Sequence, residues 1–193
     1  MKTKLLLCFG LITPMVFWLT TFICGSMIRG YDHLIWLVSE LGVKGSKTQY
    51  IFTVGLLLSA VLNIVFVIGL WKYCIKNRLS RIPVLFLSMY SFIAGPAIFP
   101  MPLPQHNIAG LPFILIILSP VTALLLWRKN TKINTIALVS LAFVGLGFLT
   151  LFPDILHDYM GMKQRFLYIG WTIWSVGLSY VCRKSQSEPV ISM

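Results

Sequence analysis

Negative charge is the scarcest resource in this chain. Its 193 residues hold five Asp and Glu against 16 Lys and Arg, and charged residues make up 11% of the total while hydrophobic ones make up 58%. A chain so poor in charge has too little to clothe a normal water-exposed surface, which argues against a soluble enzyme or a soluble binding module. Recognisable chemical signatures are missing too. There is no HExxH or paired H-x-x-x-H, no glycine-rich phosphate loop, no kinase set and no nucleic-acid module. No Asn-x-Ser/Thr acceptor occurs, so glycosylation reports topology only from an engineered site. Of the four cysteines, Cys8, Cys74 and Cys182 fall near one end of the apolar runs and Cys24 near the other. No pair lies across from one another for a structural disulfide, so they read as small apolar packers.

Long apolar runs take the place of what is missing. Six of them, at about 5–27, 51–71, 82–99, 108–127, 134–152 and 166–182, predict an all-α polytopic membrane protein: one domain, a six-transmembrane-helix bundle with a short outer interfacial helix. The yardstick is that roughly 20 residues at 1.5 Å each cross a hydrocarbon core about 30 Å thick. The first run follows Lys2 and Lys4 like a secretory signal, but it is longer than the roughly 7–15 residues of a signal core, so it is read as a span. The fifth is the shortest in its strictly apolar part, Ile136 to Leu151.

Basic residues punctuate the runs unevenly. Lys2, Lys4, Lys72, Lys76, Arg78, Arg81, Arg128, Lys129, Lys132, Arg183 and Lys184 fall on one side, and Arg29, Lys44, Lys47, Lys163 and Arg165 on the other. That bias predicts a multi-pass plasma-membrane protein with both termini cytoplasmic. It also assigns the +11 net charge to topology and to attraction for anionic lipid rather than to nucleic acid. All three histidines and every acidic residue except Glu188 lie on the opposite, outer side.

Three outer loops therefore carry the polar chemistry. In residues 28–50 the apolar positions Leu34, Ile35, Leu37, Val38 and Leu41 recur at helical spacing, predicting an interfacial helix from Asp32 to Leu41 that Gly42 and Gly45 end. The third and fifth runs both finish in Phe-Pro, at Phe99-Pro100 and Phe152-Pro153, and a histidine follows each, His106 and His157. Three alternating prolines between Phe99 and Gln105 predict a stiff loop folded over the end of the bundle. In the last loop Asp154, His157 and Asp158 fall at i, i+3 and i+4, so one helical turn gathers them on a face. Capping by Asp154 and pairing of Asp158 with Lys163 or Arg165 are the plainer readings of the same residues. Arg165 opens the sixth run, where its fork suits a phosphate or carboxylate.

Taken together, Ser39-Glu40-Leu41-Gly42, Phe99-Pro100 with His106, Phe152-Pro153, and Gly161 with Gln164-Arg165 give the chain a resemblance to a prokaryotic family of six-helix membrane proteins, domain of unknown function 998. The resemblance covers nearly the whole chain, implies a six-helix fold and implies no agreed activity. Members of that family often carry an aspartate soon after the first Phe-Pro, where Met101, Pro102 and Leu103 stand here. If that acid is functional in relatives, its absence alters activity in this protein.

The residues support a ligand-binding membrane protein whose outer pocket, built from Ser39, Glu40, His106, Asp154, His157 and Arg165, takes a lipid or a small anionic ligand, with Glu40 paired to Arg165. Sparse intramembrane charge speaks against a pump. One alternative is a metal-dependent hydrolase at the outer leaflet, with zinc on His106, His157 and Asp154. A small transporter, bending at Pro96, Pro112 and Pro120, is the other. His33 and Ser39 are six positions apart and face each other poorly on a helix, which disfavours a catalytic serine.

Overall fold

The computed structural model describes residues 3–186. Lys2, counted in the charge bias, lies outside the described residues. The chain is all-α: α1 Thr3–Met27, α2 Gln49–Lys76, α3 Ile82–Ile98, α4 Gln105–Leu126, α5 Thr131–Leu151 and α6 Met160–Ser185. Local chemistry sets several of these ends. Pro83 sits in the first turn of α3, where its missing N–H is no loss. Asn130 caps α5 by accepting from the Ile133 N–H at 3.2 Å, so this helix starts well before its strictly apolar part and reaches 21 residues.

The expectation of six spans is corrected to four. α1, α2, α4 and α5 are long and apolar enough to cross a membrane. The third run forms a helix of only 17 residues, and at 1.5 Å per residue this falls short of a core about 30 Å thick. α6 has the length, 26 residues, but not the composition. It carries Lys163 and Arg165 at one end, Arg183 and Lys184 at the other, and a middle rich in Trp, Tyr, Ser and Gly. Counting apolar runs overestimated spans because the third run makes too short a helix and the sixth too polar a one.

Each helix packs on the next, and α6 returns to α1, so the bundle closes on itself. At its centre Tyr90 of α3 stacks on Trp171 of α6 with ring centroids 3.7 Å apart, and Phe17 of α1 meets Trp171 edge-on. Small hydroxyl groups stitch the helices together. Tyr90 and Ser59 share a 2.7 Å hydrogen bond, Trp174 donates to Ser119 at 2.7 Å, Ser119 to the Pro83 carbonyl at 2.7 Å, and Ser179 to the Leu7 carbonyl at 2.7 Å. Such bonds and close packing of small residues hold helices together where lipid offers no hydrophobic drive. The α5–α6 contact shows the small-residue device directly: a Cβ on Gly170 would stand 2.7 Å from the Ser140 carbonyl oxygen, and one on Gly147 2.7 Å from the Leu167 nitrogen.

The α1–α2 loop departs from the expected helix. Its regular part is a short 3-10 turn, Val38–Gly42. Asp32 instead turns its carboxylate onto the Leu34 N–H at 2.7 Å, a local bond that competes with helix formation. The carbonyls of Leu34, Ile35 and Trp36 point to α6 and are not used within a helix of their own.

Candidate functional site

Arg165 organises one end of the bundle. It is buried, and four of its donors go to neutral acceptors: Nη1 donates to the Trp36 carbonyl at 2.9 Å and the Gly161 carbonyl at 3.0 Å, while Nη2 donates to the Tyr31 hydroxyl at 2.9 Å and His33 Nδ1 at 3.0 Å, and the buried Nε has no partner. The first-turn amides of α6 complete the attachment, Gly161 N–H donating to Ile35 O at 3.0 Å and Met162 N–H to Leu34 O at 2.8 Å. Gln164 joins this clamp by accepting from the Val38 N–H at 2.6 Å. Helix N-terminal N–H groups need partners, and here loop carbonyls supply them in place of an anion.

Because Nδ1 of His33 accepts a hydrogen bond from Arg165, the ring is neutral in this arrangement. Burial and the adjacent guanidinium both hold its pKa below the ordinary 6.5, against a smaller opposing pull from Asp32. Burial raises the pKa of Tyr31, and Arg165 offsets part of that rise. Glu40 does not pair with Arg165. Its carboxylate turns back to cap the 3-10 turn at the Leu37 N–H, and the ion pair found among the described residues is His157 with Asp158 at 3.1 Å.

Beside the clamp lies a cavity of about 270 Å³. Its walls are apolar, chiefly Phe52, Leu56, Ile93, Phe113 and Tyr168, and its polar lining is Ser39, His106, Asn107 and Gln164. Lys44 N–H donates to the Met101 carbonyl at 2.8 Å, tying the α1–α2 loop to the prolyl loop at this end. His106 Nδ1 faces the Phe99 carbonyl at 2.8 Å, which makes Nδ1 the donor and leaves Nε2 as an acceptor in the neutral ring. The amide oxygen of Gln164 is held by Val38, leaving its NH2 as a donor. No Lys, Arg, Asp or Glu is among the described residues lining this cavity.

The six residues expected to converge are thus divided. Ser39 and His106 line the cavity; Arg165 stands next to it, turned toward the loop; Glu40 serves the 3-10 turn. Asp154 and His157 are exposed in the α5–α6 loop, away from the cavity lining. The predicted helical turn over 154–158 is interrupted at Leu156, whose φ of 52° breaks the register before a 3-10 turn at His157–Tyr159. Lys163, expected in the charged rim, is buried and donates to the Ile155 carbonyl at 2.7 Å and the Phe152 carbonyl at 3.2 Å, so it is not the partner of Asp158. Among the described residues no three His, Cys, Asp or Glu side chains come together as a metal-ligand set, and the alternative of His106, His157 and Asp154 is not assembled.

Sequence reasoning missed Tyr31 and His33 as Arg165 partners and Gln164 as a cavity residue. The available signal was the position of Gln164 one residue before Arg165, since neighbours on a helix point about 100° apart and serve different surroundings.

A multi-pass helical membrane protein with a loop-covered cavity at one end is the class that fold and site define. The family model described as protein of unknown function (DUF998) matches residues 11–181, and the chain belongs to that family. No curated protein and no solved structure matches it.

Proposed function

We propose that the protein holds a small amphipathic molecule, a lipid or lipid-like compound, with its apolar body between Phe52, Leu56, Ile93 and Phe113 and an uncharged polar end at Ser39, His106 and Gln164. The observation that carries this reading is the convergence of those three polar residues, from three distant sequence segments, on one apolar cavity. Its volume lies near the lower end of small-molecule sites, roughly 300–1,000 Å³. A donor on Gln164, an acceptor on His106 and a hydroxyl on Ser39 suit a group that both donates and accepts hydrogen bonds, such as an alcohol, an amide or a protonated acid. An anionic ligand fits less well, because Arg165 spends its donors on the loop. The charge bias supports placing the cavity end outside and the strongly basic end in the cytoplasm.

The test is to purify the protein in nanodiscs, identify co-purifying small molecules by mass spectrometry, and titrate a series of medium-chain alcohols and amides. A bound amphiphile is expected at near stoichiometric level, lost in Ile93→Phe, which fills the cavity, and weakened in His106→Leu. A wild-type protein that carries no such molecule and binds none of the series ends this reading.

A further inference from the structure

We propose that a second cleft, at the opposite end of the bundle, is a binding site for an anionic glycerophospholipid. It is the larger of the two, about 970 Å³, and lies where the α4–α5 turn meets the last turns of α6 and the start of the α2–α3 turn. Arg128, Lys129, Lys132 and Lys184 all line it, and no acidic residue is among the described lining residues. Next to these cations the cleft is apolar: Leu125, Leu126 and Tyr180 are exposed, while Trp127, Ile133 and Val181 are buried beneath.

The basic turn is held in shape rather than free to adapt. Trp127 donates from its indole to the Ser80 carbonyl at 3.0 Å, anchoring the end of α4 to the α2–α3 turn. Asn134 donates to the Arg128 carbonyl at 2.9 Å, and Arg128 Nε to the Leu125 carbonyl at 3.0 Å. The N-terminus of α5 opens into the same cleft at Thr131 and Lys132, adding the positive end of a helix to the fixed cations. A phosphodiester is the group this combination suits, and the adjoining leucines offer a path for an acyl chain. Basic pockets between helices at the membrane surface recognise lipid headgroups by this chemistry. A soluble anion would use the cations and leave the apolar wall uncovered, so the amphipathic character of the cleft selects a lipid. The site is independent of the cavity at the other end.

Native mass spectrometry of the full chain in neutral detergent, titrated separately with phosphatidylglycerol, phosphatidylcholine and inorganic phosphate, tests it. Expected is a single phosphatidylglycerol adduct favoured over phosphatidylcholine by about tenfold or more, and not displaced by inorganic phosphate. That preference should collapse in R128Q/K129Q/K132Q/K184Q, fall partly in the milder K129Q/K132Q pair, and survive in K72Q/K76Q, which removes charge from the same end outside the cleft. Equal losses in the cleft and control variants, with melting temperatures unchanged, overturn the site. Residues 187–193, which begin two positions after the cleft-lining Ser185 and include Glu188, are the rival occupant. A full chain without lipid preference that gains one when truncated after Gln186 overturns the proposal in favour of that segment.

Discussion

Lysine and arginine are put to opposite uses at the two ends of the bundle, although Arg29, Lys44 and Lys47 at the cavity end stay exposed. At the cavity end Lys163 and Arg165 are buried and bound to neutral oxygens and one imidazole. Basic side chains at the other end, Lys129 and Lys132 among them, stay exposed and line an open cleft. A buried cation is costly unless most of its donors are filled, so at the first end the charge of Lys163 and Arg165 is spent on joining segments of backbone. At the second it is left available. Lysine and arginine therefore have no single meaning in this chain, and their number says less than their partners do.

The sharpest way to break that contrast is to remove the clamp. Arg165→Met keeps much of the stem but leaves the Trp36 and Gly161 carbonyls without their donor, and is expected to cost about 3 kcal/mol or more in reversible denaturant unfolding. Lys129→Gln at the other end should stay within about 0.5 kcal/mol of wild type. Equal effects would erase the distinction between the ends. Gly170→Val, which drives side-chain atoms toward the Ser140 carbonyl and Val144, should cost about 1–3 kcal/mol and lower the melting temperature, and tolerance of valine would show the α5–α6 contact to be looser than described.

A smaller effect is expected from acid. His33 has its pKa lowered in the folded protein, so the unfolded chain binds more protons between the two values and stability rises with pH across that window. The contribution is complete above the ordinary 6.5 and is lost as pH falls below it toward the depressed value. Melting temperatures measured down that range should decline in wild type and less steeply in His33→Asn. Parallel slopes in the two proteins would remove His33 from the clamp. The smallest effect belongs to the exposed α5–α6 loop: Asp154→Asn and His157→Ala should each shift stability by less than about 0.5 kcal/mol and leave ligand retention unchanged. Loss of retention in either would return that loop to the site.

Much of the helical plan was legible because apolar runs and basic punctuation are properties of local sequence. Ser39 and His106 both line one cavity because both stand where loops cross the same end of the bundle. Span number was not legible. A run such as 82–99 looks like lipid-facing material whether lipid or protein covers it, and its helix proved to be 17 residues long. The Glu40–Arg165 pairing failed because opposite charges are visible in sequence and backbone carbonyls are not. Glu40 found an amide three residues before it, and Arg165 found carbonyls and neutral side chains that no charge count reveals. Asp154 and His157 were grouped by helical spacing, and the left-handed backbone at Leu156 removed the helix on which that grouping depended.

The attachment of residues 34–38 to residues 161–165 also has a bearing on biosynthesis. A chain emerges from the ribosome from its N-terminus, so the α1–α2 loop is made long before the helix that receives its carbonyls. Until α6 arrives, Leu34, Ile35 and Trp36 have no donors from Gly161, Met162 and Arg165, and the wall that Gln164 and Tyr168 give the cavity is missing. The cavity is therefore incomplete until the start of α6 has been made. A nascent chain stopped short of residue 160 would have most of its helices and lack that wall, so the site closes only as the final helix begins to form.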